Sequence, residues 1–275
     1  MPRIFDYAGR EVDRSTTVGS LISKRGSAAH SAQVTAATAE EAAAAETAGI
    51  EMVLSLSQDV SLVREGSTQV FVTAVIDYCG AVSDEDLLRA SYTALNEGAD
   101  AIITARRAKS IRRLTEESIP VMGHVGFNPV RSTLYGGIRA IGKTAVEAIA
   151  LWDQFRRLED AGAFGVECEV IPAPVMSEIN KRTGLVTISL GSGPDADVMF
   201  LFASDVCGES SRLPRHARAY ADLAGLRAQI IEQRVKGFSE YRAEVAAKKF
   251  PGEAEVVAVD ADELAQFVEH LNGDD

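Results

Sequence analysis

The chain has 275 residues, 46% of them hydrophobic and 25% charged, an ordinary globular composition with enough apolar content for a large core. Its formal net charge of −12 argues against a broad nucleic-acid or anionic-membrane surface, since both need clustered Lys and Arg, and leaves small molecules and protein partners.

Eight short runs rich in Val and Ile follow one another along the chain. They are "QVTAA" (33–37), "EMVLSLS" (51–57), "QVFVTAVID" (69–77), "DAIITA" (100–105), "PVMGHVGF" (120–127), "FGVECEV" (164–170), "LVTISLGS" (185–192) and "VMFLFAS" (198–204). Helical spacing separates most of them. "TAEEAAAAETAG" stops at Gly49, "SDEDLLRASYTALNEG" opens on acids and closes at Gly98, and "KTAVEAIALWDQFRRLEDAG" is amphipathic and ends on Gly162. Repeated strand and helix units predict an α/β fold, a (β/α)8 TIM barrel. Its weakest unit lies between the last two strands, where 193–197 is too short for a full helix.

The barrel is expected over 31–250, after an N-terminal cap segment (1–30) and before a C-terminal extension (251–275). In that extension "PGEAEVVAVDADELAQFVEHLNGDD" reads as a strand plus a short acidic helix. Cys79, Cys168 and Cys207 stand apart with no CxxC pair, which suits reduced thiols and not a zinc site. No run approaches the ~18 consecutive apolar residues of a membrane helix. The charged start "MPRIFDYAGREVDRS" has no apolar signal core, so the expected location is the cytoplasm.

In a barrel of this kind chemistry sits at the C-terminal ends of the strands. His124 stands near the end of the fifth, with Gly123 and Gly126 leaving room for substrate, and Glu167 holds the comparable place on the sixth. A carboxyl among apolar neighbours has its charged form destabilised and becomes a candidate acid or base near neutral pH. The same two residues also suit a hydrogen-bonded structural pair. "SLGSGP", with Ser189, Ser192 and Gly193, reads as an anion-holding loop or as a tight turn. "YGGIRAIGK" reads as a lid or a solvated connection, with Arg139 and Lys143 available to an anion.

At "MGHVGFNP", "YGGIRAIGK", "GAFGVECEVIP", "SLGSGPDAD" and "FPGE" the order and spacing resemble the ketopantoate hydroxymethyltransferase family, within the phosphoenolpyruvate mutase and isocitrate lyase superfamily of barrels. The resemblance runs from about Thr17 to about Glu253. It implies transfer of a hydroxymethyl group from 5,10-methylenetetrahydrofolate to 3-methyl-2-oxobutanoate, a step towards pantothenate. It also implies a homo-oligomer and a Mg²⁺ ion that holds the oxo acid and stabilises its enolate. Glu167 matches the family's base and His124 the histidine that contacts the oxo acid.

The departures concern the metal. Ser57 stands where the family carries a metal-binding aspartate, Val75 replaces a second, Ile103 a lysine, and Ala105 a metal-linked glutamate. Asp59 and Asp77 each lie two residues beyond the lost aspartates, hence on the same face of an extended strand, where they would hold a displaced cation. Arg106 and Arg107 stand in place of two glycines. They either grip the substrate carboxylate without a metal or face solvent.

The leading expectation is therefore an enzyme that enolises a small 2-oxo acid and makes a carbon-carbon bond. Glu167 moves the proton, and His124, Ser57, Ser189, Ser192 and Gly193 position a substrate held by Arg106 or Arg107. An aldol-type lyase or decarboxylase is the alternative within the superfamily, and a non-catalytic metabolite-binding homologue is the alternative outside it.

Overall fold

The computed structural model describes residues 3–273. Residues 1–2 and 274–275 of the expected terminal segments lie outside the described residues. The chain opens with an antiparallel hairpin, β1 (Ile4–Phe5) and β2 (Glu11–Val12), followed by helix α1 (Val18–Lys24). Eight strands then pair in parallel and close: β3 (Ser31–Thr35), β4 (Met52–Leu56), β5 (Phe71–Val75), β6 (Ala101–Ile103), β7 (Val121–Gly126), β8 (Gly165–Glu169), β9 (Val186–Leu190) and β10 (Val198–Leu201). They run in chain order round the barrel, and β10 closes on β3. Each overlaps one of the expected runs, and the fold is the (β/α)8 barrel.

Crossover helices lie outside it: α2 (Ala39–Thr47), α3 (Val60–Gly66), α4 (Asp84–Asn96), α5 (Ala108–Thr115), the single turn α6 (Ser132–Tyr135), α7 (Ala145–Asp160), α8 (Ala173–Asn180) and the single turn α9 (Ala203–Val206). Local chemistry sets their starts. Thr38 accepts from the Glu41 amide while the Glu41 carboxylate accepts from the Thr38 amide, and Ser83 and Asp86 repeat the arrangement at α4. Between β9 and β10 no helix forms among the described residues, as its length requires. Asp197 ties that turn down instead, accepting from the Thr187 amide and hydroxyl and from the Gly26 amide.

Alternate residues of each strand face two apolar layers. Inside the barrel pack Met52, Phe71, Met122, Ile188 and Phe200, and Leu21 of α1 joins them. Outside, Val53, Val72, Ile102 and Val166 pack against helix residues such as Leu95, Ile111 and Phe155. At the N-terminal ends of the strands, Asp100 takes Arg14 at 2.8 Å and Arg64 at 2.5 Å and also accepts from the Val72 amide at 2.8 Å. A carboxylate between two guanidiniums is stable away from water only because both charges and its lone pairs are met.

The compact unit holding the barrel ends at Ala221, and a second comprises the residues from Asp222 onward. That second unit holds a long helix α10 (Leu223–Ala246), a 3-10 turn at Glu253–Glu255 and helix α11 (Ala261–Gly273). The strand expected in the tail does not form. Val256, Val257 and Val259 are exposed, and no strand among the described residues offers them a ladder to join.

The glycines of β7 serve packing instead of substrate access. A Cβ at Gly123 would stand 2.7 Å from both methyls of Leu158 on α7, and one at Gly126, whose φ is +87°, would stand 2.2 Å from the Glu169 carbonyl oxygen. Glycine is thus what lets α7 and β8 close on this strand. Gly123→Ala is expected to destabilise the protein by about 1–3 kcal/mol through overpacking against Leu158. Urea unfolding should show a lower midpoint at unchanged slope, whereas an unchanged midpoint would mean that α7 shifts freely.

Candidate active site

The parallel register of β7 and β8 sets His124 opposite Glu167 and Gly126 opposite Glu169. Because side chains alternate along a strand, Glu167 and Glu169 share a face, and both turn to the His124 ring. Nε2 of His124 lies 3.0 Å from Glu169 and 3.5 Å from Glu167. Burial penalises the charged forms of Glu167 and His124. It pushes the Glu167 carboxyl up to about 7, with the nearby imidazole pulling it down and Glu169 pushing it further up. Burial alone pulls the imidazole down, but its hydrogen bond to Glu169 and the two carboxylate charges outweigh that and raise it above its ordinary value.

Two polar atoms in this trio have no hydrogen-bond partner: Oε2 of Glu167 and Nδ1 of His124. Buried groups left unmatched are costly, and they are the atoms a bound molecule would satisfy. One nitrogen and two carboxylate oxygens lie within 4.8 Å of one another, close enough for a divalent ion to accept all three. Among the described residues this is the grouping of His, Cys, Asp and Glu that could do so.

The trio borders a cavity of about 590 Å³ at the barrel mouth, a size suited to a small-molecule site. Its wall includes Ser55, Tyr78, Thr104, Asn128 and Phe202, together with Val75, Ala105, Asp59 and Asp77. The expected pair, His124 and Glu167, is therefore brought together there. Glu169 completes it and is missing from the sequence reading, although its spacing of two from Glu167 in "VECEV" places it on the same face of any strand.

Other expectations are corrected by where the chain turns. β4 ends at Leu56 and β5 at Val75, so Asp59 and Asp77 lie in turns and not on extended strand faces. Asp59 closes a 3-10 turn, and the Asp77 carboxylate accepts from the Cys79 and Gly80 amides. Neither joins the cation-sized grouping. Ser57 begins the same 3-10 turn and is not in the cavity wall, where Ser55 stands instead.

Arg106 is committed elsewhere. Its guanidinium donates to the carbonyls of Tyr78, Ala81 and Val82 and stacks 4.5 Å from the Tyr78 ring centroid, so it ties down the loop after β5. Arg107 is exposed and stands at the residue before α5, where its side chain makes no capping hydrogen bond. Arg139 pairs with Glu147 at 2.8 Å.

The loop after β9 is a turn. Ser189 donates to the Gly193 carbonyl and accepts from the Ser192 amide, while Ser192 donates to the Cys168 carbonyl and accepts from the Ile171 amide. Gly193 has a φ of +93°, and a Cβ there would stand 2.5 Å from Ala173. These residues lock β9 to the end of β8 with no hydroxyl to spare. None is in the cavity wall.

Comparison with known proteins agrees with this fold. The family model described as ketopantoate hydroxymethyltransferase matches residues 55–253. The 3-methyl-2-oxobutanoate hydroxymethyltransferase of Pyrobaculum islandicum is 36% identical over 170 residues, 61% of this chain and 62% of that protein. Its counterpart in Cenarchaeum symbiosum is 35% identical over 182 residues, 65% of this chain and 67% of that one. The chain thus spans about 62% of the length of the first such relatives. Among solved structures, a phosphonopyruvate hydrolase complex with oxalate and Mg²⁺ aligns with a TM-score of 0.51 at 12% identity, covering 94% of this chain and 98% of that one. A 2,3-dimethylmalate lyase of the PEP mutase/isocitrate lyase superfamily aligns at 0.50 and 12%, covering 93% and 99%. At that identity the structures show a shared fold.

The electrostatics of the trio predict how stability depends on pH. Glu167 holds its proton more tightly folded than unfolded, so its contribution is fully present below about pH 4.5 and is lost as pH rises through about 7. His124, also raised, acts in the same direction, and Glu169 and Arg131 are the other charges that bear on the ring. Stability should fall between pH 5 and pH 8 by an amount on the order of 2 kcal/mol, read as a lower melting temperature, and Glu167→Gln, which mimics the protonated acid, should flatten that fall. Equal pH slopes in the two proteins would show that Glu167 is not the group responsible.

Proposed function

The chain belongs to the ketopantoate hydroxymethyltransferase family, and from that premise we propose that it enolises a small 2-oxo acid at the barrel mouth and makes a carbon-carbon bond to the resulting enolate. The observation that carries this is Glu167. Its carboxyl is buried among apolar residues, sits at about 7, and keeps one oxygen without a hydrogen-bond partner beside an open cavity. A base poised at the working pH is the most effective proton acceptor.

The relatives' name specifies hydroxymethyl transfer to 3-methyl-2-oxobutanoate, and that is the reaction proposed here. Oε2 of Glu167 takes the C3 proton, and the electron pair of that bond moves into the enolate. The same pair then forms the new bond to the methylene carbon of the donor as one of its two C–N bonds breaks; the second breaks as water supplies the hydroxyl, and the two donor nitrogens take up the proton from Glu167 and one from water. 5,10-Methylenetetrahydrofolate is the donor implied by the family, and the Tyr78, Phe202 and Val130 wall of the cavity suits a flat ring system. Negative charge growing on the C2 oxygen would be met by His124, whose Nδ1 is the ring nitrogen left without a partner while Nε2 stays bound to Glu169.

The family's Mg²⁺ does not fit its usual positions in this chain. Ser57, Val75 and Ala105 replace its carboxylates, and Val75 and Ala105 face the cavity without an oxygen to offer. A cation held instead by His124, Glu167 and Glu169 would occupy the carboxylate that takes the proton, so the proposed transfer runs without an ion, the imidazolium supplying the positive charge.

Self-association of the chain is part of the same proposal. No residue of α10 is buried, yet Leu226, Ile230, Ile231, Val235 and Phe238 recur on it at helical spacing, a stripe that a second copy would cover. Light scattering is expected to give a multiple of 29.4 kDa, and the double change Ile230→Asp with Phe238→Asp should reduce it to one chain. A wild-type monomer would refute the assignment.

Proton NMR of 3-methyl-2-oxobutanoate in D₂O tests the catalytic reading. The C3 proton signal should decay, persist in decaying when EDTA is added, and accelerate as pH rises through about 7 as Glu167 loses its proton. Glu167→Gln should slow the exchange by at least ~100-fold. Exchange that is absent, or that survives the substitution, would remove Glu167 as the base.

A further inference from the structure

Beside the catalytic cavity lies a second one of about 480 Å³, bounded by the start of α5, the end of β7, the turn after it and α7. The two cavities share Ala105, His124 and Asn128. Every charged acid-base group on the wall of the second, apart from His124, is a cation: Arg106, Arg107, Lys109, Arg131 and Arg157. No carboxylate stands among them. In a chain of net charge −12, acids were available in plenty to neutralise such a wall. Like charges held close repel one another, and an anion among them relieves that repulsion.

Arg106 is already engaged by carbonyls of the preceding loop. Arg107, Lys109, Arg131 and Arg157 make no ion pair or side-chain hydrogen bond among the described residues. The backbone adds to them. The first residues of α5 line this cavity, the helix has no side-chain cap and no acid in its first turn, and its N-terminus therefore presents unmatched N–H groups. The shared residue His124 is 9% exposed, and its Nδ1 has no partner.

We infer that this cavity binds a second anionic group, a phosphate or a carboxylate, carried by a molecule that reacts at Glu167. The inference rests on the function proposed above and adds a substrate class to it. A short monoanionic oxo acid has one carboxylate and no group for the cationic wall. An extended molecule that carries a second anion reaches both cavities where they adjoin at Ala105, His124 and Asn128. The second anion belongs either to the far end of the oxo acid or to the one-carbon donor.

Isothermal titration with inorganic diphosphate reads the cavity without any turnover, so it succeeds or fails independently of the catalytic reading. Wild-type protein should bind diphosphate, and the double change Arg131→Ser with Arg157→Ser should weaken binding at least ~10-fold. The charge-preserving Arg131→Lys with Arg157→Lys should stay within about threefold, and Lys236→Ser in the second unit should change nothing. Absent binding, or equal binding by the Ser double variant, overturns the inference.

Deuterium exchange then separates the sources. A lower KM for 2-oxoglutarate than for 3-methyl-2-oxobutanoate, lost in the Ser double variant, places the anion on the oxo acid. Diphosphate inhibition competitive with the one-carbon donor, and not with the oxo acid, places it on the donor. Diphosphate that binds yet affects neither reactant also overturns the inference, because the cavity then serves no reacting molecule.

Discussion

The parallel pairing of β7 with β8 is the constraint on which the site depends. Its register puts His124 opposite Glu167 and, through the pleat, brings Glu169 to the same ring. That pairing requires glycine at Gly126, where any side chain would meet the Glu169 carbonyl, and glycine at Gly123 for α7 to lie against the strand. The residues that look like space for a ligand are the ones that bring two secondary-structure layers into contact. Chemistry and packing are therefore coupled, because moving β8 by one residue would turn both glutamates out of the barrel.

Burial is what gives the trio its chemical character. The apolar layer inside the barrel, from Met122 to Ile188 and Phe200, keeps water from the Glu167 carboxyl and raises its proton affinity. A single buried carboxylate beside a second would repel it, and the imidazolium between them offsets the repulsion. The arrangement holds one positive and two potential negative charges where the resemblance implies an ion with several acids.

The loops around the site divide into those tied shut and those left with open valences. The turn after β9 spends both serine hydroxyls on backbone groups, and Arg106 spends its guanidinium on the loop after β5. Each loss of a candidate contact is a gain in rigidity, since a hydroxyl or guanidinium already bonded to carbonyls holds the rim of the barrel in one shape. On the α5 and α7 side, by contrast, Arg107, Lys109, Arg131 and Arg157 of the second cavity remain unmatched.

The eight strands, their order and the pairing of His124 with Glu167 were legible in the sequence. Period-two and helical spacing follow from backbone geometry alone, and strand ends in this fold point to one face. Glu169 was equally within reach, since alternation puts it beside Glu167. The tail was not: "EVVAV" has strand composition, but a strand exists only where a partner edge is present, and residues 256–259 have none among the described residues. Nor could spacing show that β4 and β5 stop at Leu56 and Val75, which turned Asp59 and Asp77 into turn residues. The fate of Ser189, Ser192 and Arg106 was likewise decided by tertiary structure. A hydroxyl or guanidinium has the same formula whether its bonds go to a ligand or to a carbonyl brought near by folding, and only the folded chain determines which partner is within reach.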